Sequence, residues 1–139
     1  MAFSVSESTV IIQFLVDTDS VQPNSTTGVY VVDNTTASNE GGTTLNTTCT
    51  SGTFIAWEVV PVRPCNGNTV SINSIGTSTA WGPDGQPETA SDNPNAYAGQ
   101  AQGTPSTTAY GYSATLVVDQ GGSTITIPLT GLQLTITNS

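Results

Sequence analysis

The stretch that decides the fold is Phe54-Ile55-Ala56-Trp57-Glu58-Val59-Val60. Apolar residues occupy both alternating sets of positions in this run, which is typical of a strand covered on both of its faces. Its β-branched and aromatic side chains favour an extended backbone over a helix. We therefore predict a buried strand at the centre of a sheet, entered through the turn Ser51-Gly52.

Strand signals recur on either side of this segment, whereas helical periodicity does not. The runs that we interpret as further strands are 10–16, 29–32, 70–73, 110–118, 124–129 and 132–136. The sequence Asp119-Gln120-Gly121-Gly122 is typical of a hairpin loop between two of these runs. Pro128 cannot donate a hydrogen bond, so its strand should be an edge or contain a break. Together these patterns predict an all-β protein, an antiparallel sandwich of seven to eight strands.

Residues 76–109 depart from this pattern, because they contain four prolines and little apolar periodicity. We expect one long loop here, and loops of this length usually have a function of their own. Trp81 and Tyr97 lie within it. Two interpretations stay open: the rings hold the loop against the sandwich, or they form a ligand-binding surface that stacks on a glycan.

The charge composition excludes several classes of function. Arg63 is the one basic residue among 139, there is no lysine or histidine, and ten acids give a net charge of −9. A Ser-His-Asp or Cys-His centre cannot form without histidine, so we predict that the chain is not an enzyme. Nucleic acid is not an expected partner, because neutralising phosphates requires lysine and arginine.

Length and apolar content bound the organisation and location of the chain. We expect residues 1–139 to form a single domain. No apolar run approaches the length of a membrane span, and the start Met1-Ala2-Phe3-Ser4 has neither a basic nor an apolar signal region. The expected location is cytoplasmic, as an inclusion, or outside the cell by export without a classical signal peptide. Cys49 and Cys65 are expected to be reduced.

Two acidic groups are candidate metal sites. Carboxylate and amide oxygens in a flexible loop are the ligands that calcium prefers. The residues concerned are Asp17 and Asp19 after the first strand, and Asp84, Glu88, Asp92, Asn93 and Asn95 in the 76–109 segment. Calcium binding is one interpretation of both groups; a polar strand exit and a solvated loop are the others.

Three features in a fixed order resemble the AidA/PixA family of bacterial inclusion-body proteins. The first strand runs into Val16-Asp17-Thr18-Asp19, which is similar to the family's strand ending in Asp-Thr-Asp or Asp-Thr-Glu. The small residues of 41–46 precede an Ile-x-Trp strand, Ile55-Ala56-Trp57. A long strand over 110–118, a short turn and a closing strand resemble the end of the family's sequences.

The resemblance implies an immunoglobulin-like sandwich without catalytic residues, which associates with itself. Such a protein would accumulate inside the cell or act between a bacterium and its host. Two other functions fit the composition and stay open: a calcium-dependent, lectin-like carbohydrate-binding module, and a sandwich that decorates a virion or another surface.

Overall fold

The computed structural model describes residues 3–23, 25–35, 41–62 and 67–138, and these ranges contain nine β-strands and one 3₁₀ turn. The strands are β1 Val10–Val16, β2 Val29–Asp33, β3 Asn46–Thr50, β4 Phe54–Pro61, β5 Thr69–Ile75, β6 Glu88–Ala90, β7 Asn93–Gln100, β8 Tyr110–Gln120 and β9 Ser123–Thr137. The 3₁₀ turn is Thr79–Trp81. The predicted all-β class is confirmed.

Two sheets enclose the main core. The five-stranded sheet has the order β2-β1-β4-β7-β6, and the four-stranded sheet has the order β3-β9-β8-β5. Inward side chains of both sheets form one buried cluster, to which β1, β4, β8 and β9 contribute most of the large residues. The run from Phe54 to Val60 lies in β4, the middle strand of its sheet, as predicted.

Both sheets are mixed, so the prediction of a wholly antiparallel sandwich is wrong in this respect. β1 runs parallel to β4, and β3 runs parallel to β9. Side-chain alternation reveals which face of a strand is buried but carries no information on the direction of its neighbour. Strand direction is therefore a property that the sequence pattern did not contain.

The nine strands differ from the predicted seven to eight because β3, β6 and β7 were not predicted, whereas two predicted runs form one strand. β3 was missed because its sequence, NTTCT, is polar. The two predicted C-terminal runs are one strand, β9, whose pairing with β8 shifts at a bulge near Thr130. Pro128 pairs only with β8, because β3 pairs with β9 from Gln133 onward. The strand of Pro128 lies between β3 and β8 and contains a shift in register, so of the two predicted alternatives, an edge or a break, the break is confirmed.

The 76–109 segment is not one loop, since it contains the 3₁₀ turn, β6 and β7. β7 escaped prediction because Ala96, Ala98 and Gly99 give it a weak apolar pattern. Small residues are needed there: a Cβ on Gly99 would lie 2.7 Å from the Gly85 carbonyl oxygen. Pro94 fits into β7 because it precedes the residues that pair with β4 and lies where the β6 register shifts.

Cys49 is a free thiol that points into the core. Burial raises the pKa of this thiol to about 11, with an opposing contribution from its hydrogen bond with Thr53. The thiolate is the reactive form, so Cys49 should be chemically inert in the folded chain. Cys65 lies outside the described residues.

Two fully buried threonine hydroxyls differ in their hydrogen bonding. Thr47 Oγ1 donates to a carboxylate oxygen of Asp33 at 2.5 Å. Thr18 Oγ1 is the buried side-chain oxygen that has no hydrogen-bond partner among the described residues. Both side chains are 0% exposed, so the two positions form a matched pair.

We expect Thr18→Val and Thr47→Val to change the free energy of unfolding in opposite directions. Removing the unpaired Thr18 hydroxyl should stabilise the fold by about 1 kcal/mol, because a buried polar group without a partner carries a desolvation cost. Removing the Thr47 hydroxyl should destabilise the fold by about 2 kcal/mol, since Asp33 loses one charge-assisted hydrogen bond while it keeps those from Thr35. Urea unfolding followed by tryptophan fluorescence measures both; equal destabilisation would contradict the assignment for Thr18.

Candidate functional site

The first acidic group connects loops at one end of the sandwich. Asp17 accepts hydrogen bonds from Ser20 Oγ at 2.9 Å and from the Asp19 backbone N–H at 3.2 Å. The Asp19 carboxylate accepts from Asn68 Nδ2 at 3.2 Å. These bonds tie the turn after β1 to the segment before β5. Both carboxylates therefore have a structural role, whether or not they also bind a cation.

The second acidic group is divided between the two ends of β7. Asp84 and Glu88 line a cleft near Gln100, whereas Asp92 immediately precedes Asn93, the first residue of β7. At about 3.3 Å per residue, a strand of this length separates its ends by roughly 23 Å. One ion cannot contact both ends.

In the described ranges, no three His, Cys, Asp or Glu residues form a group suited to a metal ion. Asn93 and Asn95 stay with Asp92 at the start of β7, and the Asn93 side chain accepts the Asn95 backbone N–H at 3.0 Å. Calcium binding by either acidic group remains a prediction.

A cleft of about 510 Å³ lies beside the C-terminal end of β7, with Asp84 and Glu88 on its rim. Two of its lining residues are joined by side-chain hydrogen bonds: Gln102 Nε2 donates to Gln100 Oε1 at 2.6 Å, and Gln100 Nε2 donates to the Gly52 carbonyl at 3.0 Å. The Asp84 backbone N–H donates to Gln102 Oε1 at 3.2 Å. The amides thus hold the loop in place.

Trp81 is a core residue, so the interpretation of its ring as a ligand-stacking surface is wrong. It is 1% exposed. Its ring makes edge contacts with Trp57 at 5.4 Å and with Tyr112 at 5.3 Å between centroids. Its Nε1 donates to the Gly76 carbonyl at 3.0 Å. The alternative interpretation, an anchor that holds the segment against the sandwich, describes the structure.

Tyr97 also joins parts of the fold. Its half-buried ring packs against the main core, and its hydroxyl donates to the Asn73 carbonyl at 2.8 Å. This bond links β7 of one sheet to β5 of the other. Tyr97 and Trp81 therefore do not form a shared surface for a glycan.

The Asp92 carboxylate fastens the N-terminal segment to the outer side of the five-stranded sheet. It accepts the backbone N–H groups of Val5 at 2.8 Å and Ser6 at 3.1 Å. These bonds hold the pKa of Asp92 below its ordinary value. The segment they fasten places Phe3 over Ala90, Ala96 and Ala98, where its ring contacts Phe54 at 5.8 Å between centroids.

The cover formed by the N-terminal segment reaches only half of this outer face. In β4, Phe54 and Ala56 belong to the covered half, and Ala56 is 0% exposed. Further along the strand, Val60 is 36% and Val62 is 48% exposed. The sequence prediction that β4 is covered on both faces is therefore correct for its first half and wrong for its second.

The uncovered half of the outer face carries a group that we call the apolar row: Tyr30, Leu15, Val60 and Val62. Leu15 of β1 is in register with Tyr30 of β2 on one side and with Val60 of β4 on the other. Val62 follows at the end of β4, and its N–H donates to the Val16 carbonyl at 2.8 Å. Among the described residues, the large hydrophobic side chains that are exposed are Tyr30, Val60 and Val62.

The apolar row was not predictable as a site, because its members come from three strands and each strand has an ordinary sequence. One signal was present: Glu58 interrupts the otherwise apolar run of β4. It is in register with Gln13 of β1, which in turn pairs with Val32 of β2. A polar position in a run that appears covered on both faces indicates that one face meets solvent.

In the part of the chain that the structure describes, no helix has the length and apolar character needed to cross a membrane.

Comparisons with known proteins connect this architecture to a family and to a fold. A family model described as "Domain of unknown function (DUF8788)" matches residues 8–126. No curated protein matches the sequence. Among solved structures, the crystal structure of an inclusion body protein (PixA) from Burkholderia cenocepacia J2315 is similar, with a TM-score of 0.65 and 12% sequence identity over 98% of this chain and 96% of that chain. The resemblance stated from the sequence is thus confirmed at the level of the fold.

We expect the Asp92 carboxylate to control how firmly the N-terminal segment is docked. Because its folded pKa is lowered, the stabilisation is complete above the unfolded pKa of about 3.9 and is lost as the pH falls through the folded value. Asp92→Ala should remove it at neutral pH. Hydrogen exchange of the Val5 and Ser6 amides measures the effect; Asp84→Ala is the control and should leave both amides protected. Unchanged protection in Asp92→Ala would contradict the role.

Proposed function

Because this chain belongs to the family described as Domain of unknown function (DUF8788) and shares its fold with an inclusion body protein, we propose that it is a non-catalytic protein that accumulates by associating with itself. Its place of accumulation in this proposal is the cytoplasm of the cell that makes it. The absence of histidine and lysine from the sequence supports a non-catalytic role, since it removes common bases and nucleophiles.

The observation that carries the proposal is the distribution of charge. The described residues include nine of the ten acids and no basic side chain; Glu40 and Arg63 lie outside them. Two copies therefore cannot join through ion pairs between described residues. Contacts between the described residues of two copies must use uncharged surface, and they form most readily when the acids are neutralised or screened.

Large uncharged surfaces are available for such contacts. Outward positions of β9 carry mainly threonine, including the exposed Thr124, Thr126 and Thr130. Two neighbours on β8 are also uncharged, since Val117 is in register with Thr126 and Thr115 with Pro128, whereas Thr124 is in register with Asp119. The outer face of the five-stranded sheet adds the apolar row. These faces can approach another copy without bringing many carboxylates together.

We expect the purified chain to be monomeric at pH 8 and low salt, and to associate as the pH falls toward its isoelectric point near 4.1. The physical reason is that self-repulsion of a molecule with net charge −9 fades as carboxylates are protonated. Added salt should also promote association at neutral pH, because it screens the repulsion between carboxylates: the Debye length falls to about 8 Å at 0.15 M. Sedimentation velocity and light scattering measure the mass distribution.

Two controls make this experiment decisive. Near-ultraviolet circular dichroism at each pH verifies that the associating species is folded rather than an acid-unfolded aggregate. Parallel series with calcium and with a chelator determine whether the acidic groups bind that cation and whether it replaces protons as the neutralising agent. A chain that stays monomeric from pH 8 to pH 4 at every salt concentration, with and without calcium, would overturn the proposed function.

A further inference from the structure

We infer that the apolar row, Tyr30, Leu15, Val60 and Val62, is a contact surface for a second copy of this chain. This inference rests on the proposed function and deepens it by naming the surface. Its basis is that the large hydrophobic residues that are exposed in the described chain, Tyr30, Val60 and Val62, lie on one face, where the half-buried Leu15 joins Tyr30 to Val60. Isolated exposed apolar residues are ordinary, whereas contiguous ones mark interaction sites.

The row is a continuous strip because the strand registers align its members. Adjacent strands lie about 4.8 Å apart, so a strip across β2, β1 and β4 is roughly 10 Å wide. Tyr30 is 51% exposed at one end of this strip, and Val60 is 36% exposed at the other. In the covered half of the same face, an apolar side chain packs on the sheet: Phe3 lies over alanines and contacts Phe54.

Charge selects a second copy over other partners. A basic partner would be drawn to the acidic loops, such as Asp17 with Asp19 or Asp84 with Glu88, rather than to an apolar strip. An acidic partner is repelled everywhere except at surfaces of low charge, and another copy of this chain is such a partner. An apolar strip is also self-complementary, which is the requirement for a two-fold contact between identical chains.

The size of the row indicates a weak contact. Stable interfaces bury about 800 Å² on each partner, which a strip of four side chains does not reach by itself. Contacts of this kind are populated at high concentration and reinforce one another in a dense assembly. This behaviour suits a protein that accumulates, and it leaves dilute chains monomeric.

Glu58 makes the contact dependent on pH. It lies two residues before Val60 on the same side of β4, so two copies joined through the row bring their Glu58 carboxylates toward the interface. In the uncovered half of this face, the other ionisable groups of the described residues are Asp17, two residues beyond Leu15, and the Tyr30 hydroxyl. Glu88, in register with Ala98, belongs to the covered half. Arg63 follows Val62 in sequence but lies outside the described residues. Burying like charges is unfavourable, so protonation of Glu58 favours association.

The test compares isosteric substitutions on the two outer faces of the sandwich. We expect V60T/V62T to raise the protein concentration at which half of the chains are associated by at least about tenfold near pH 4.5, because each exposed methyl group replaced by hydroxyl weakens apolar burial. V117T tests the competing uncharged face, since this half-buried valine points outward from β8 in the other sheet; a shift as large as that of V60T/V62T would overturn the inference. Both variants should retain the wild-type circular dichroism spectrum.

A second comparison isolates Glu58 from net charge. E58Q should associate at a higher pH than the wild-type chain, while E88Q, which removes the same charge from the exposed β6, should shift the midpoint less. Equal shifts in E58Q and E88Q would overturn the role of Glu58.

Failure of the surface and failure of the function are distinguishable. If the wild-type chain associates and V60T/V62T associates equally well, the apolar row is not the contact, while the proposed function survives. If the wild-type chain does not associate under any condition, the proposed function fails and the inference fails with it.

Discussion

The fold depends on the packing of three aromatic rings between the two sheets. Trp57 belongs to β4, Tyr112 belongs to β8, and Trp81 ends the 3₁₀ turn. Trp57 Nε1 donates to the Tyr112 hydroxyl at 3.2 Å, so the contact between sheets is polar as well as apolar. Full burial raises the pKa of Tyr112 far above its ordinary value, mainly by desolvation. Removing one of these rings would therefore leave a cavity between the sheets and weaken the packing of the 3₁₀ turn that leads to β6 and β7.

This cluster also determines which surfaces are available for function. With Trp81 buried, the 76–109 segment contributes two strands to a sheet instead of a lid over a site. β7 then completes the covered half of the outer face, and the N-terminal segment is tied to it through Asp92. The cover stops before Val60, which leaves the apolar row as the hydrophobic surface on that side. The surface that we propose for association is thus exposed because the N-terminal segment covers only part of the outer face of the five-stranded sheet.

Prediction succeeded where periodicity is strong and failed where small or polar residues form strands. Ile12, Phe14 and Val16 alternate with less buried residues in β1 as the sequence indicated. β3 is a strand because β9 offers it a parallel partner, and Thr47 is buried because Asp33 accepts a hydrogen bond from its hydroxyl. β7 is a strand because alanines and a glycine fit beneath Phe3 and beside Gly85. Neither reason is visible locally. For the candidate sites, the residue types were identifiable, but the sequence did not show that Asp84 and Asp92 lie near opposite ends of β7.

The sequence by itself determined the class of the fold, the central position of β4 and the acidic character of the surface. These follow from alternation, apolar content and charge, which are properties of residues near one another in the chain. Only the tertiary structure decided strand direction, the burial of Trp81 and the exposure of the apolar row. Each of these depends on which distant strands become neighbours: Leu15 acquires Tyr30 and Val60 as companions only when β1 lies between β2 and β4. Local patterns specify which side chains are apolar, whereas the assembly of the sheets determines which of these side chains are buried.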